Sequence, residues 1–422
     1  MQRVFILDSN KQPLMPTHPA KARKLLAAGK AAVYRRYPFT IILKEAVDAP
    51  ELQPVELKID PGSKTTGISL VAHFGRGWTV LWAANLHHRG QQIKRQMDKR
   101  RAIRRSRRNR KTRYRQPRFN NRTRPAGWLP PSLKSRVDNV ETWAGRLIAF
   151  CPVSAIQVET VRFDTKKLVN PEISGVEYQQ GELFGYEVRE YLLEKWGRKC
   201  AYCGAENMPL EVEHIVPKSR GGSNRVSNLT LACRPCNKAK GSQTAAEFGH
   251  PHLLAQAKQP LKDAAAVNST RYAIGNRLKA LGLPVSFWSG GCTKFNRCRQ
   301  GYVKDHWIDA ACVGETGVSV SIPAGLRPMS IKATGRQSRQ MCRVDKYGFP
   351  RTGPKQSRIV LGFQTGDIVK AVVTKGKNTG THIDRIAVRF SGSFRVGNID
   401  GINWKRCAAL HRADGYSYER SC

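Results

Sequence analysis

Acidic residues are scarce in this chain. Its 422 residues hold 31 Asp and Glu against 73 Lys and Arg, a formal net charge of +42 at pH 7. That excludes a sign-balanced, solvated surface as the whole account of its charge. Self-repulsion of this size destabilises a compact state unless a polyanion compensates it. Nucleic acid is the expected compensator, and its binding should weaken steeply with salt. An anionic membrane surface is the rival. Long apolar runs are missing too: no stretch approaches the roughly 20 residues of a spanning helix. The opening MQRVFILDSN has an apolar run too short for a signal peptide and alternates like a strand. A soluble, cytoplasmic protein is therefore expected. Repeats of fixed period are absent. The eleven cysteines are scattered through a large chain, unlike a small secreted disulfide framework. Hydrophobic residues make up 40%, enough for ordinary cores, and the length allows two to four domains.

Local patterns give an α/β multidomain reading. Arg3–Leu7, Ala31–Tyr37 and Phe39–Lys44 read as strands. A helix is expected from His18 to Ala28, with Thr17 as N-cap and Gly29 closing it. Val55–Asp60, Gly67–Ala72 and Trp78–Ala83 suggest consecutive antiparallel strands. Gln91–Gln116 lacks Gly and Pro and favours one helix, about 39 Å long at 1.5 Å per residue. Leu133–Phe150, Glu182–Trp196 and Lys262–Leu281 read as helices, Ala155–Val158 and Pro284–Trp288 as strands, and Lys304–Val313 as a short helix. After Gly317 short β-like runs follow: Ile359–Gly362, Ile368–Val373, Arg385–Phe390 and Ser393–Val396. They fit a small β-barrel.

The strongest chemical signal is a pair of CxxC motifs, Cys200/Cys203 and Cys233/Cys236. Two knuckles supplying four thiolates can close a structural zinc site. Such a site uses all its ligands, so chemistry must come from the residues it scaffolds. The intervening EVEHIVPKSRGGSNRVSNLTLACRPCNKAKG (211–241) resembles the HNH, or ββα-metal, nuclease fold. By that resemblance His214 is the general base that deprotonates a water. Glu213 and Asn237 bind one magnesium ion, and Asn228 holds the loop and orients the histidine.

A second set of acids is dispersed. LKIDPGSKTTGISL (57–70) places Asp60 at a strand end, AIQVET (155–160) does the same for Glu159, and KDHWIDAACVG (304–314) sets His306 and Asp309 three apart. Residues three apart share a helix face. The three acids can converge on two metals about 4 Å apart for in-line phosphodiester hydrolysis. Their order resembles a ribonuclease H-like RuvC fold split into three segments, in which His306 would deprotonate the attacking water.

Ile93 to Arg115 holds 13 Lys or Arg and only Asp98 against them. Arg100, Arg101, Arg104, Arg105, Arg107, Arg108 and Arg110 are candidate nucleic-acid contacts, since guanidinium groups bind phosphates bidentately. The position resembles that of a bridge helix. With the letters PLMP at 13–16, the whole order resembles the IscB family, relatives of type II CRISPR nucleases. That resemblance divides the chain into a PLMP unit (1–52), RuvC segment I (53–87), the arginine-rich helix (88–125), RuvC segment II with linker (126–196), HNH (197–253), RuvC segment III (254–316) and a basic β-rich region (317–422). It implies a guide (omega) RNA, one protein per RNA, a double-stranded DNA target, magnesium at both catalytic sites and structural zinc. In those relatives base pairing reads the target. Two rivals stay open: a stand-alone HNH endonuclease, and a non-catalytic zinc-stabilised RNA-binding protein. Lys375, Lys377, Arg385, Arg389 and Arg395 are further basic candidates in the C-terminal region, and Cys292 and Cys298 are expected to be free thiols.

Overall fold

The computed structural model describes residues 2–108, 125, 127–160, 184–206, 208–259, 262–335, 342–347 and 349–420. Strands β1 (Val4–Leu7), β2 (Pro13–Thr17), β3 (Ala31–Arg35) and β4 (Thr40–Leu43) form a sheet in the order β2–β1–β4–β3. Helix α1 (Pro19–Ala27) covers it, sharing a small core with Val4, Ile6, Leu14 and Ile41. Its N-cap is His18 rather than Thr17, with the ring accepting from Ala20 N–H at 3.2 Å. Pro19 explains the shift, because proline fits the first helical position, where no N–H is needed. The PLMP letters lie in β2, which two prolines disguise as a non-strand. β2 is an edge strand, where prolines are tolerated.

β5 (Val55–Pro61), β6 (Thr65–Phe74) and β7 (Gly77–His87) form an antiparallel meander. Helices α2 (Gly90–Arg108) and α3 (Pro131–Phe150) follow, then β8 (Ala155–Glu159), parallel to β5. The expected helix to Gln116 is described only to Arg108, since residues 109–116 lie outside the described residues. Next come α4 (Phe184–Lys195), β9 (Leu210–His214), β10 (Leu229–Cys233), α5 (Arg234–Lys240), α6 (His252–Lys258) and α7 (Lys262–Lys279). β11 (Val285–Trp288) lies parallel to β8, and α8 (Gly290–Arg299) and α9 (His306–Ala311) complete the central unit. β12 (Val320–Ser321) and β13 (Met329–Ala333) then pair parallel with β7.

The C-terminal region holds a short hairpin, β14 (Ile359–Val360) and β15 (Phe363–Gln364). β16 (Ile368–Val373), β17 (Gly380–Ala387), β18 (Ser393–Val396), β19 (Ile399–Asn403) and β20 (Cys407–His411) bury a shared core around Phe394. Their hydrogen-bonded order, β19–β18–β17–β16–β20, ends at two separate strands among the described residues. It is an antiparallel sheet, and among the described residues its hydrogen-bonded order does not close into the small β-barrel expected. β21 (Tyr416–Arg420) returns to pair with β13. The large sheet therefore runs β11–β8–β5–β6–β7–β13–β21.

Both faces of that sheet are covered. On one side α3 presents Val137, Val140, Trp143, Ala144 and Leu147, the i, i+3, i+4 spacing of an amphipathic helix. Trp143 stacks on Trp82 with ring centroids 6.2 Å apart. On the other side α9 buries Trp307, Ile308 and Ala311 against Val71, Val80 and Ala83. This second cover buries Glu56 and Lys58, which alternate with Leu57 and Ile59 along β5. Among the described residues no helix is long and apolar enough to cross a membrane.

Candidate functional sites

Asp60 and Glu159 stand at the ends of neighbouring parallel strands. The register pairs Ile59 with Val158, so each acid is the next residue at the same end of the sheet. Both line a small cleft, together with Arg136 and Arg271. Arg136 reaches the turn after Asp60 from α3: Nε donates to Gly62 O at 2.9 Å, and its Nη atoms donate to Pro61 O and Thr270 Oγ1. It is 3% exposed, so it fixes that turn from inside the fold.

α9 brings the third element. His306 Nδ1 lies 2.9 Å from Asp60 Oδ2. An ionised carboxylate can only accept, so this nitrogen carries the proton. The hydrogen bond to Asp60 raises the His306 pKa above its ordinary value, against the opposing effect of burial. Asp309 is pushed up first by burial and then by the charge of Asp60, while Arg297 pulls it back. Arg297 Nε lies 2.7 Å from Asp309 Oδ1. The acid that an apolar helix left without an obvious partner thus has one on α8.

The approach of α9 depends on Gly67. A Cβ there would lie 1.8 Å from His306 O and 2.2 Å from His306 C, a clash of backbone against side chain. Ser69 Oγ donates to Trp307 O at 2.7 Å. The far end of α9 is held by Lys58 Nζ, which donates to Val313 O at 2.9 Å and Ala311 O at 3.3 Å. Asn296 Nδ2 donates to Cys312 O and Gly314 O, both at 3.0 Å. Burial lowers the Lys58 pKa to about 8, and Glu56, 3.6 Å away, resists the shift.

The cysteine module is the second site. The Sγ atoms of Cys200, Cys203, Cys233 and Cys236 all lie within 4.8 Å of one another. Cys203 and Cys233 are 3.8 Å apart. A tetrahedron with 2.3 Å zinc–sulfur bonds has edges of about 3.8 Å, so the four thiols fit zinc. Among the described residues no other set of three or more His, Cys, Asp or Glu donors meets that spacing. Asp60, Glu159 and Asp309 do not form such a set. Cys292 and Cys298 are free thiols outside any such cluster.

β9 and β10 pair antiparallel, with His214 opposite Leu229. Alternation along β9 turns Glu211 and Glu213 toward α5. Glu211 Oε2 accepts from Asn237 Nδ2 at 2.7 Å. Glu213, only 6% exposed, accepts from Lys240 Nζ and Tyr202 Oη, each at 2.6 Å. Asn237 is thus brought to the acidic face of β9, but its bond is to Glu211 and not to Glu213. Lys240, fully buried, also donates to His214 O at 3.0 Å. The His214 ring touches Asn224, with Nε2 2.9 Å from Oδ1. Asn228 holds the loop that follows His214 and, among the described residues, makes no side-chain bond to the ring. Its side chain is consumed by the loop backbone, binding Val216 N and O and Ser223 O at 2.9–3.0 Å. Lys240, Tyr202, Asn224 and Arg136 escaped the sequence reading, because each acts through a contact that no local pattern announces.

Arg100, Arg101, Arg104 and Arg105 are exposed on α2. Arg107 and Arg108 are described only as helix backbone, and Arg110 lies outside the described residues. In the C-terminal region Arg385 donates to Gly366 O and Tyr416 O, Arg389 pairs with Asp400 and Arg395 donates to Gly397 O. Lys375 and Lys377 are exposed.

The RRXRR protein family matches residues 4–181, and the HNH endonuclease family matches residues 200–243. Arg104–Arg108 spells RRSRR. No curated protein matches the chain. Among solved structures, Streptococcus thermophilus Cas9 in complex with the GGAA PAM is 12% identical, with a TM-score of 0.21 over 61% of this chain and 32% of that one. The Type II-C Cas9 enzyme from Actinomyces naeslundii is 18% identical, with a TM-score of 0.16 over 43% of this chain and 27% of that one. The chain spans at most a third of the length of these two proteins. The chain carries a module of the HNH endonuclease family.

Proposed function

We propose that this protein is an RNA-guided DNA endonuclease of IscB type. In this reading the HNH module cuts the guide-paired strand and the Asp60 cleft cuts the displaced strand. The observation that carries it is the pairing of Asp60 and Glu159 at adjacent ends of parallel strands, with His306 of α9 against Asp60. The sheet order supports a ribonuclease H-like unit, since an antiparallel meander is extended on the β5 side by two parallel strands. The charge of +42 and the exposed arginines of α2 support a nucleic-acid partner.

The donor chemistry suits divalent ions. Carboxylates and an amide oxygen are hard ligands of the kind magnesium takes, and Asp60 and Glu159 of the cleft, with Asp309 released from Arg297, would hold it. Magnesium supplies Lewis acidity toward a phosphate and lowers the pKa of water. The protein's part in the cleft is positional. Arg136 holds the Asp60 turn, Gly67 admits α9, and Asp60 holds the Nδ1 proton of His306. Its Nε2 remains for a solvent proton. In the HNH module Asn224 engages the His214 ring, while Glu211, Glu213 and Asn237 offer the oxygen donors.

His214→Ala in the RNA-loaded protein should leave a nickase of the displaced strand, and Asp60→Ala a nickase of the guide-paired strand. Strand-labelled target duplex on denaturing gels reads both. Loss of both cuts from either change, with DNA binding intact, would remove the two-site reading.

A further inference from the structure

We infer that Arg271 and Tyr272, side by side on α7, form a subsite for one unpaired nucleotide of a DNA strand entering the Asp60 cleft. The inference rests on the proposed nuclease reading of that cleft and names how its substrate strand is held. Tyr272 is 69% exposed, so its ring is open to a partner outside the fold. Arg271 ties it to the cleft. Its guanidinium carbon lies 4.4 Å from the Tyr272 ring centroid, and Nη2 donates to Tyr272 Oη at 2.7 Å. The same arginine lines the cleft beside Asp60 and Glu159.

The second observation is an unmet donor. Arg271 Nε is buried and has no hydrogen-bond partner among the described residues. A buried donor left unpaired is costly, more so on a charged group. A rotation of the side chain that opens this nitrogen to the cleft would let a phosphate oxygen satisfy it, and arginine's planar fork suits that acceptor. A phosphate approaching Asp60 and Glu159 meets repulsion, and Arg271 stands where it can offset that. With the phosphate on Arg271, the attached base falls within reach of the Tyr272 ring. Only an unpaired base offers a free face for stacking, so the ligand is a single strand and not a duplex. Aromatic platforms of this kind tolerate any sequence, which suits a protein whose specificity comes from a guide.

The test uses the RNA-loaded protein and a target duplex with 2-aminopurine placed at successive positions of the displaced strand. In the wild type, one position near the cut should show fluorescence quenched relative to its neighbours. Tyr272→Ala should abolish that quenching and raise the DNA concentration for half-maximal displaced-strand nicking roughly ten-fold, in line with the loss of one stacked base. Cutting of the guide-paired strand should be unchanged. Tyr272→Trp should restore stacking and nicking, and Arg271→Gln should weaken displaced-strand nicking while leaving the other cut intact. If Tyr272→Ala changes neither the fluorescence profile nor displaced-strand nicking, or if Trp fails to rescue, the subsite is absent. Asp60→Ala separates the two readings. If it leaves displaced-strand nicking intact, the cleft assignment itself fails; if it abolishes that nicking while Tyr272→Ala is silent, only the subsite fails.

Discussion

Lys58 lies away from the proposed site yet anchors the helix that carries two of its residues. Its side chain is 0% exposed, and its ammonium caps the carbonyl end of a six-residue helix that carries His306 and Asp309. Glu56 is its charge partner and accepts in turn from Gln157 and from Thr316. Lys58→Met would leave two carbonyls without this donor and strand a buried carboxylate. Breaking a buried pair from one side costs about 3 kcal/mol or more. The variant should melt lower and lose displaced-strand nicking, with guide-paired cutting far less affected. Adding Glu56→Gln should recover part of the melting loss, since no charge is then left alone. Melting curves and strand-resolved nicking on the three proteins check this, and unchanged nicking in Lys58→Met would show that α9 is positioned without it. In the sequence, VELKID alternates like a half-buried strand, so Lys58 reads as solvent-facing. The helix that covers it lies some 250 residues further on, beyond any local pattern. Asp60 and Glu159 were legible because an acid closing an apolar strand is visible within six letters. Arg136 and Asn224 were not, because arginine in an amphipathic helix and asparagine in a Gly-rich loop ordinarily face water.

At the scale of elements, the HNH module is built from pieces too short to stand alone. β9 and β10 have five residues each and α5 has seven. Short isolated helices and two-stranded sheets are marginal in water, so closure must come from elsewhere. The four cysteines supply part of it. A hydrophobic cluster supplies the rest, joining Leu192 of α4 and Trp196 just after it to Leu210, Leu231 and Leu253. The CxxC spacing made the four-cysteine cluster legible, while the recruitment of α4 and α6 to the module's core was not, since their apolar faces could have packed anywhere. Cys200→Ser should remove bound zinc, lower the melting temperature of the module and abolish guide-paired cutting. Metal-bound folding energy in small zinc modules is large enough that one lost ligand is severe. Displaced-strand nicking should persist, because Asp60 and Glu159 lie on the large sheet and Asp309 on the helix α9 that covers it, all outside the module. Metal analysis with strand-resolved cleavage measures both consequences. Wild-type protein purified free of zinc, yet cutting the paired strand at full rate, would show that the thiols do not serve as a metal centre.

For the whole molecule the governing quantity is charge. The order of acids, cysteines and arginines along the chain was legible, whereas the extension of the central sheet by β13 and β21 was not. Those strands are five residues each and pair across more than 80 positions, and such distant pairing leaves no periodic trace. The charge has a physical consequence that can be measured. Four arginines of α2, at 100, 101, 104 and 105, are exposed within a chain of +42, and like charges at i, i+4 destabilise a helix. RNA laid along α2 would neutralise them and release counterions, so binding should fall steeply with salt. Binding only to the folded protein also raises its stability by mass action. The RNA-free protein should therefore melt lower, aggregate more readily and be cut by protease between Gln91 and Pro131. Replacing Arg104, Arg105, Arg107 and Arg108 by Gln should relieve the repulsion, since Gln keeps a good helix propensity. That variant should melt higher than wild type without RNA, yet lose RNA affinity and both cleavage activities together. Melts and limited proteolysis, with and without RNA at two salt concentrations, read each arm. Identical melting and identical cut patterns with and without RNA would make α2 an ordinary solvated helix, and the guide would have to be held elsewhere.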